Sequence, residues 1–271
     1  MKCSHSALLH FDQPKRVVLT QMSKSPIVDC IPMKKLTILE IFACIAIFAC
    51  VINAQQAAAT TDSYVLGSRT IRIPAPHGFV DVVPRFDQIT ARFIATESPN
   101  NDMLAVHVEN SMAPTLQKGE SPALDFYTKV SVSKRFKTVD ISVADFKAMV
   151  VSFEKESPSL LDSNGPVMKA IVQHSNKGLS ELSGTKVEIE MDQPTNLGYF
   201  DKRSDIYSAM ILFKLKDPQM PLPMLCGISY VRVNSRLLFV YTYRKFTSER
   251  DVDALRDFTK KWTAAIIAAN K

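Results

Sequence analysis

Three histidines and one cysteine are the residues of the larger, C-terminal part of the chain whose side chains most often perform chemistry. His77, His107, His174 and Cys226 lie far apart. No two of the histidines fall within ten residues of each other, so their spacing offers no local metal site. His77 lies in a Pro-His-Gly turn, His107 on a predicted strand and His174 near the end of a predicted helix. We interpret each as a surface or hydrogen-bonded histidine.

Cys226 lies in the apolar run Leu225-Cys226-Gly227-Ile228, which is typical of a strand. We therefore predict a buried, unreactive thiol. A nucleophilic pair of Cys226 with His107 would require the fold to join them, and nothing in the local sequence favours it. The other four cysteines, Cys3, Cys30, Cys44 and Cys50, all precede the predicted domain, so Cys226 has no disulfide partner there.

Three further segments carry residue types that could bind a ligand. Glu188, Glu190 and Asp192 share one face of a predicted strand and could hold a cation, but a solvated face accounts for them better. The basic cluster at 134–137 (KRFK) is typical of an exposed strand end. The stiff apolar loop at 218–223 (PQMPLP) could be a contact surface, and a covered loop is the favoured interpretation.

Glycine spacing and overall charge exclude several function classes. The eight glycines are scattered and form no GxGxxG, GxxxxGK[ST] or GxSxG motif, so the chain lacks the usual phosphate loops and nucleophile elbow. The formal net charge is +6, of which residues 55–271 contribute half, from 27 basic and 24 acidic residues. That balance is too weak to indicate nucleic-acid binding. The sequence thus predicts no catalytic, metal-binding or cofactor-binding residue and no cofactor.

The N-terminal part has the layout of an export signal. Lys34-Lys35 precedes an apolar run at 41–52 and then small residues, which predicts a signal peptide at 33–54 with cleavage after Ala54. The run has 12 residues, fewer than the ~20 that span a bilayer. Lipid attachment at Cys50 and an uncleaved anchor are the alternatives. We expect Met33 to be the true start and 1–32 to be an extension; an unusually long signal is the other interpretation.

Residue periodicity predicts a linker at 55–70 and a single α+β domain at 71–271. Alternation predicts strands at 71–76, 103–109, 124–134, 186–192 and 207–216, with 103–109 buried on one face only. Helical spacing predicts a helix at 85–95, a second helix that begins behind a capping box at Ser142-Val143-Ala144-Asp145, and a third helix after Pro166. The breaker-rich segment 113–122 is predicted to be a loop.

The C-terminal segment gives the clearest pattern. Two alternating runs at 228–233 and 236–243 flank Asn234-Ser235, which predicts a β-hairpin. A second capping box at Ser248-Glu249-Arg250-Asp251 predicts a long helix behind it. The apolar stripe of that helix comprises Val252, Leu255, Phe258, Trp262, Ala265, Ile266 and Ala269. Together these patterns predict a mostly antiparallel sheet with helices packed on it.

Several of these segments resemble a known family. The runs IPAPHGF at 73–79 and NDMLAV at 101–106, with LFVY at 238–241 and the ending from Trp262 to Asn270, resemble an uncharacterised family of exported proteobacterial proteins over most of 71–270. The order of elements is similar to the Mog1/PsbP-like α/β/α sandwich. Both resemblances imply a fold, and neither implies an activity or site residues.

These observations favour an exported, periplasmic or secreted protein whose domain binds a small ligand or an envelope protein without catalysis. A membrane-anchored protein with the domain outside the cytoplasm is the alternative localisation. Membrane contact is expected only through the signal segment or a lipid at Cys50. The alternative function is a hydrolase whose site is assembled from distant residues. A hydrolase should bring a histidine, an acid and a nucleophile together, whereas a binding domain should have an apolar groove without such groups.

Overall fold

The computed structural model describes residues 61–120, 122–216 and 222–271. The predicted signal at 33–54, the lipid site at Cys50 and residues 218–221 of the apolar loop lie outside these ranges. Among the described residues, no helix combines the length and the apolar character that a membrane span requires.

Eight strands form one antiparallel sheet, as the alternation predicted. Along the sheet the order is β3, β4, β5, β10, β9 and β8, and both β6 and β7 pair with the far edge of β8. The strands are β3 (Phe79–Asp81), β4 (Asn101–Glu109), β5 (Phe126–Ser133), β6 (Glu190–Met191), β7 (Thr195–Lys202), β8 (Ile206–Lys216), β9 (Leu222–Val233) and β10 (Arg236–Lys245). The predicted hairpin is β9–β10, and its turn residues Asn234 and Ser235 both have positive φ.

A separate two-stranded ribbon, β1 (Thr61–Leu66) and β2 (Arg69–Pro74), precedes the sheet. Strand β1 lies in the segment for which a linker was predicted, so regular structure begins before residue 71. Its residues are mostly small or polar, which hid the pattern, yet Leu66 is buried in the main core and Tyr64 packs against that core. The buried guanidinium of Arg236 donates a hydrogen bond to the Leu66 carbonyl and so ties this ribbon to the hairpin.

Within the described ranges, five α-helices accompany the strands. They are α1 (Asp87–Thr96), α2 (Ala113–Gln117), α3 (Val143–Leu160), α4 (Pro166–Ser183) and α5 (Arg250–Ala268). The capping box predicted at Ser142 and Asp145 is present at the start of α3. The short helix α2 replaces part of the loop predicted at 113–122, because Leu116 is buried in one cluster with Ile89 of α1. A 3₁₀ turn at Asn110–Met112 precedes it.

Helix α5 covers one face of the sheet, together with the β1–β2 ribbon. Trp262 is buried in this core, and its indole N–H donates a 2.8 Å hydrogen bond to the Pro74 carbonyl. The predicted second capping box is half formed. The Asp251 carboxylate accepts the Ser248 backbone N–H, but the Asp251 N–H bonds to the Ser248 carbonyl rather than to its hydroxyl.

Helices α1, α3 and α4 lie on the other face. Strand β4 is consequently buried from Leu104 to Val108 on both faces, so the prediction that it is exposed on one face was wrong. Helices α1 and α4 approach closely at Gly178, where an added Cβ would lie 2.0 Å from the Ala95 carbonyl oxygen. Helix α3 packs through Phe146 onto Tyr207 and Leu237.

The region around β6 and β7 departs most from the prediction. Only Glu190–Met191 of the strand predicted at 186–192 is extended and paired. Strand β7 was not predicted, because its alternation is broken by register shifts on both sides of Tyr199. Gly198 beside it has a φ of 92°, a conformation that favours glycine.

Candidate functional site

The three histidines do not assemble a catalytic group. His107 is buried, its Nδ1 lies 3.0 Å from the Thr128 hydroxyl, and its ring packs edge-on against Trp262. Burial lowers the pKa of His107 to about 4, although the charge of Asp62 acts to raise it. The ring is therefore neutral at pH 7. It is a hydrogen-bonded core histidine, in accordance with the sequence interpretation.

His174 lies in the middle of α4, not near a helix end as predicted. Its Nε2 is 2.7 Å from the Glu97 carbonyl oxygen, a contact that links α4 to the end of α1. His77 is exposed in the turn before β3. Among the described residues, none of the three histidines is hydrogen-bonded to a carboxylate or to Cys226.

Cys226 is a buried free thiol on the opposite face of the sheet from His107. It packs among residues of the second face, including Tyr127 and Tyr243, whereas His107 points toward Trp262. Burial raises the pKa of the Cys226 thiol to about 12, which keeps it protonated at neutral pH. The fold therefore does not join Cys226 and His107 into a nucleophilic pair.

The charged segments singled out in the sequence are paired with other side chains. Glu188 pairs with Lys186, and Glu190 and Asp192 both pair with Lys216. Among the described residues, no cluster of three His, Cys, Asp or Glu side chains could hold a metal ion. In the basic cluster, the ammonium groups of Lys134 and Lys137 lie 4.0 and 2.7 Å from the Asp102 carboxylate, and Arg135 lies over the Phe136 ring.

One polar cluster was missed by the sequence analysis. Asp81 is completely buried beside His107, to which it is paired across β3 and β4. Its Oδ1 accepts the Val83 N–H, and its Oδ2 has no hydrogen-bond donor. Burial, reinforced by the neighbouring carboxyl group of Asp62, raises the pKa of Asp81 to about 7. Asp62 lies in the segment predicted to be a linker, so no sequence pattern indicated that the two carboxyl groups lie together.

Among the described residues, a groove between α3 and strands β7 to β9 is the best candidate for a ligand site. Its enclosed volume is about 110 Å³, smaller than the ~300–1,000 Å³ of pockets for drug-sized ligands, so it suits a small ligand or part of a larger one. Helix α3 contributes one wall and the strands contribute the floor and the other wall. The lining residues are Phe153, Ser157, Leu160, Leu161, Asn196, Tyr199, Tyr207, Ala209, Ile211, Ile228 and Tyr230.

Aromatic rings form one end of the groove. Phe153 of α3 stacks on Tyr230 of β9, with ring centroids 4.1 Å apart and planes within 9° of parallel. Tyr207 of β8 lies between Tyr230 and Tyr199, with centroids 6.2 and 5.2 Å away. These contacts hold α3 against the sheet and fix the width of the groove. The sequence predicted a helix around Phe153 and a strand around Tyr207, but it could not indicate that both rings would contact Tyr230.

The hydroxyl of Tyr207 is buried without a hydrogen-bond partner. Tyr199 and Glu154 lie close enough to interact with it electrostatically, yet neither meets the distance and angle of a hydrogen bond. Burial, reinforced by these two neighbours, raises the pKa of Tyr207 well above its usual value. The hydroxyl is therefore protonated at every physiological pH and cannot act as a general base.

The lining favours binding over chemistry. In the part of the chain that the structure describes, no histidine, cysteine, aspartate, glutamate, lysine or arginine lines the groove. The lining hydroxyls belong to serine and tyrosine, and no lining residue could act as a base to activate them. Three lining residues, Phe153, Ser157 and Leu160, follow one another at helical spacing along the C-terminal half of α3.

Comparison with known proteins yields similarity at the level of fold. No protein-family model and no curated protein matches the chain. The Ran-binding protein Mog1p of Saccharomyces cerevisiae has 14% sequence identity, and the match covers 79% of this chain and 95% of that chain, with a TM-score of 0.26. A mutant of the protein Mog1 has 13% identity over 78% of this chain and 94% of that chain, with a TM-score of 0.28. The similarity assigns no family and no function.

Proposed function

We propose that this domain is a non-catalytic binding protein that holds a small apolar ligand in the groove between α3 and β7 to β9. The observation that carries the proposal is the lining itself, in which aromatic and aliphatic side chains predominate and no ionisable catalytic group takes part. Concave apolar sites with a few polar groups are the usual form of a small-ligand pocket. Asn196, Ser157 and the tyrosines supply those polar groups.

The geometry gives less support to the alternative, a hydrolase assembled from distant residues. Such an enzyme needs a base, an acid and a nucleophile within hydrogen-bond reach of one another and of the substrate. His107 and Asp81 are adjacent, but both are buried under the β1–β2 ribbon and away from the groove. Cys226 is a buried thiol whose raised pKa disfavours the thiolate.

We further propose that the domain works outside the cytoplasm, as a periplasmic or secreted protein. The support is the sequence of residues 33–54, with its basic pair, apolar run and small residues. Intact-mass analysis of the protein from its native envelope tests this directly. A mass that lacks everything up to Ala54 is expected, whereas a mass that retains 36–54 would favour an anchor, and a lipid-sized increment on Cys50 would favour lipidation.

Groove binding can be tested with the neutral, apolar dye N-phenylnaphthylamine, whose fluorescence rises in apolar surroundings. We expect the purified full chain to bind it saturably at a single class of site. Ala209 is a half-buried residue of the groove floor, so Ala209→Trp should fill the space and weaken binding at least ~10-fold, a loss of ~1.4 kcal/mol.

The matched control is Ala148→Trp, which places the same side chain on the exposed side of α3. This variant should bind the dye like the wild type, with both variants folded by circular dichroism. Equal binding by wild type and Ala209→Trp, or no saturable binding by the wild type, would refute the groove. Turnover of generic ester, peptide, phosphate or glycoside substrates would favour the hydrolase.

A further inference from the structure

A lysine side chain lies at the aromatic end of the groove. The ammonium of Lys202 is 4.6 Å from the ring centroid of Tyr199 and 5.7 Å from that of Tyr207. Both rings line the groove, so the charge is close to any ligand that occupies this end. A lysine in such a position would by itself attract an anion, as positively charged clefts do.

Glu154 cancels that charge. It lies on α3 next to the lining residue Phe153, and its carboxylate forms an ion pair with the Lys202 ammonium. The hydrogen bond from Lys202 lowers the pKa of Glu154, which is therefore ionised at neutral pH. Its negative charge also lies near the unpaired Tyr207 hydroxyl, the donor that an anionic ligand would otherwise use.

We infer that Glu154 determines the charge of the ligand: by neutralising Lys202 it makes the groove selective for neutral apolar molecules over apolar anions. The inference rests on the proposed function, since it concerns the same groove. An anion would meet the Glu154 carboxylate at this end of the groove, whereas a neutral molecule meets aromatic rings and no net charge. Lys202 positions Glu154 at this end of the groove.

Two dyes with the same ring system separate charge from shape. N-phenylnaphthylamine is neutral, and anilinonaphthalene sulfonate carries one negative charge on the same scaffold. In the wild type we expect the sulfonate to bind the groove about ten-fold or more weakly than the neutral dye, because its charge loses hydration without a partner. Groove binding is defined for both dyes as the component that Ala209→Trp removes.

Glu154→Gln should leave the positive charge of Lys202 without its carboxylate partner. The affinity for the sulfonate dye is then expected to rise about 3–10-fold at low salt, and the gain should shrink as salt screens the partly exposed ammonium. The affinity for the neutral dye should be unchanged. Glu156→Gln, on the exposed side of the same helix, is the control and should alter neither dye.

A double variant identifies the origin of the gain. In Glu154→Gln with Lys202→Gln the sulfonate affinity should fall back to the wild-type value. A sulfonate gain that persists without Lys202, or no gain in Glu154→Gln while the neutral dye still binds the groove, would overturn the inference and leave the proposed function standing. If the neutral dye did not bind the groove of the wild type, the proposed function would instead be overturned.

Discussion

At the scale of single residues, burial rather than residue type decides what the ionisable groups do. His107, Cys226 and Asp81 are residue types that often catalyse reactions, and all three are buried away from any described groove. Burial shifts the pKa of each toward its neutral form, downward for His107 and upward for Cys226 and Asp81. They contribute to the interior of the fold, whereas the residues of the proposed site are aromatic and aliphatic.

Asp81 gives a prediction for stability as a function of pH. In the unfolded chain an aspartate ionises near pH 4, but burial, reinforced by the neighbouring Asp62 carboxyl group, raises the pKa of Asp81 to about 7 in the folded protein. As pH rises, the folded protein therefore keeps the Asp81 proton up to a higher pH than the unfolded chain does. The stability contributed by Asp81 is fully present below about pH 4, is lost between about pH 4 and 7, and stays lost above.

Asp81→Asn removes this titration and keeps an uncharged side chain of nearly the same shape. Relative to the wild type, the free energy of unfolding of the variant should gain on the order of 3 kcal/mol between pH 4 and pH 8. Urea unfolding of both proteins across this range measures the difference. His107 titrates in the opposite sense within the same window, but it is present in both proteins and cancels in the comparison. A difference that is independent of pH would contradict the assignment.

At the scale of elements, the helices on the second face set the geometry of the groove. Helix α3 is held by aromatic stacking, and α1 and α4 are held together by a close approach at Gly178. In an exposed helix, replacing glycine by alanine stabilises the helix by ~1 kcal/mol. At Gly178 the added Cβ would meet the Ala95 carbonyl at 2.0 Å, so backbone atoms must move.

Gly178→Ala is therefore expected to destabilise the protein, by about 1–3 kcal/mol, although alanine is the better helix former. Thermal and urea unfolding give the measurement. Lys177→Ala, at the neighbouring exposed position, is the control and should change stability by no more than ~0.5 kcal/mol. An increase in stability with Gly178→Ala would show that α1 and α4 do not meet at this contact.

Local sequence patterns predicted the elements whose structure is specified by their own residues. The capping box at Ser142 and the Asn234-Ser235 turn specify their structures within a few residues, and both were confirmed. The stripe of α5 was confirmed by the burial of Leu255, Trp262 and Ile266. Strand β1 and strand β7 were not predicted, because pairing with distant strands and an irregular register define them.

The groove could not be predicted for a related reason. Its walls come from α3, β7, β8 and β9, which are separated along the chain and meet only in the tertiary structure. Each lining residue alone is an ordinary apolar or aromatic side chain. The ion pair of Glu154 and Lys202 likewise joins positions 48 residues apart.

At the scale of the whole molecule, the sheet is covered unequally on its two faces. Helix α5 and the β1–β2 ribbon close one face around a continuous core that includes Trp262. Three helices share the other face, and the groove lies where α3 rests on aromatic residues near the β7–β8 edge. A stable core on one face and an apolar groove on the other suit a protein that binds a ligand with little change of its fold.

Amide chemical-shift mapping of the isotope-labelled protein during titration with N-phenylnaphthylamine tests the central claim most directly. The account predicts saturable shifts concentrated at residues 153–161, 196–211 and 228–230, the segments that line the groove. It also predicts little change along α5 and the β1–β2 ribbon on the opposite face. Shifts concentrated on that opposite face, or no saturable shift in any segment of the groove, would contradict it.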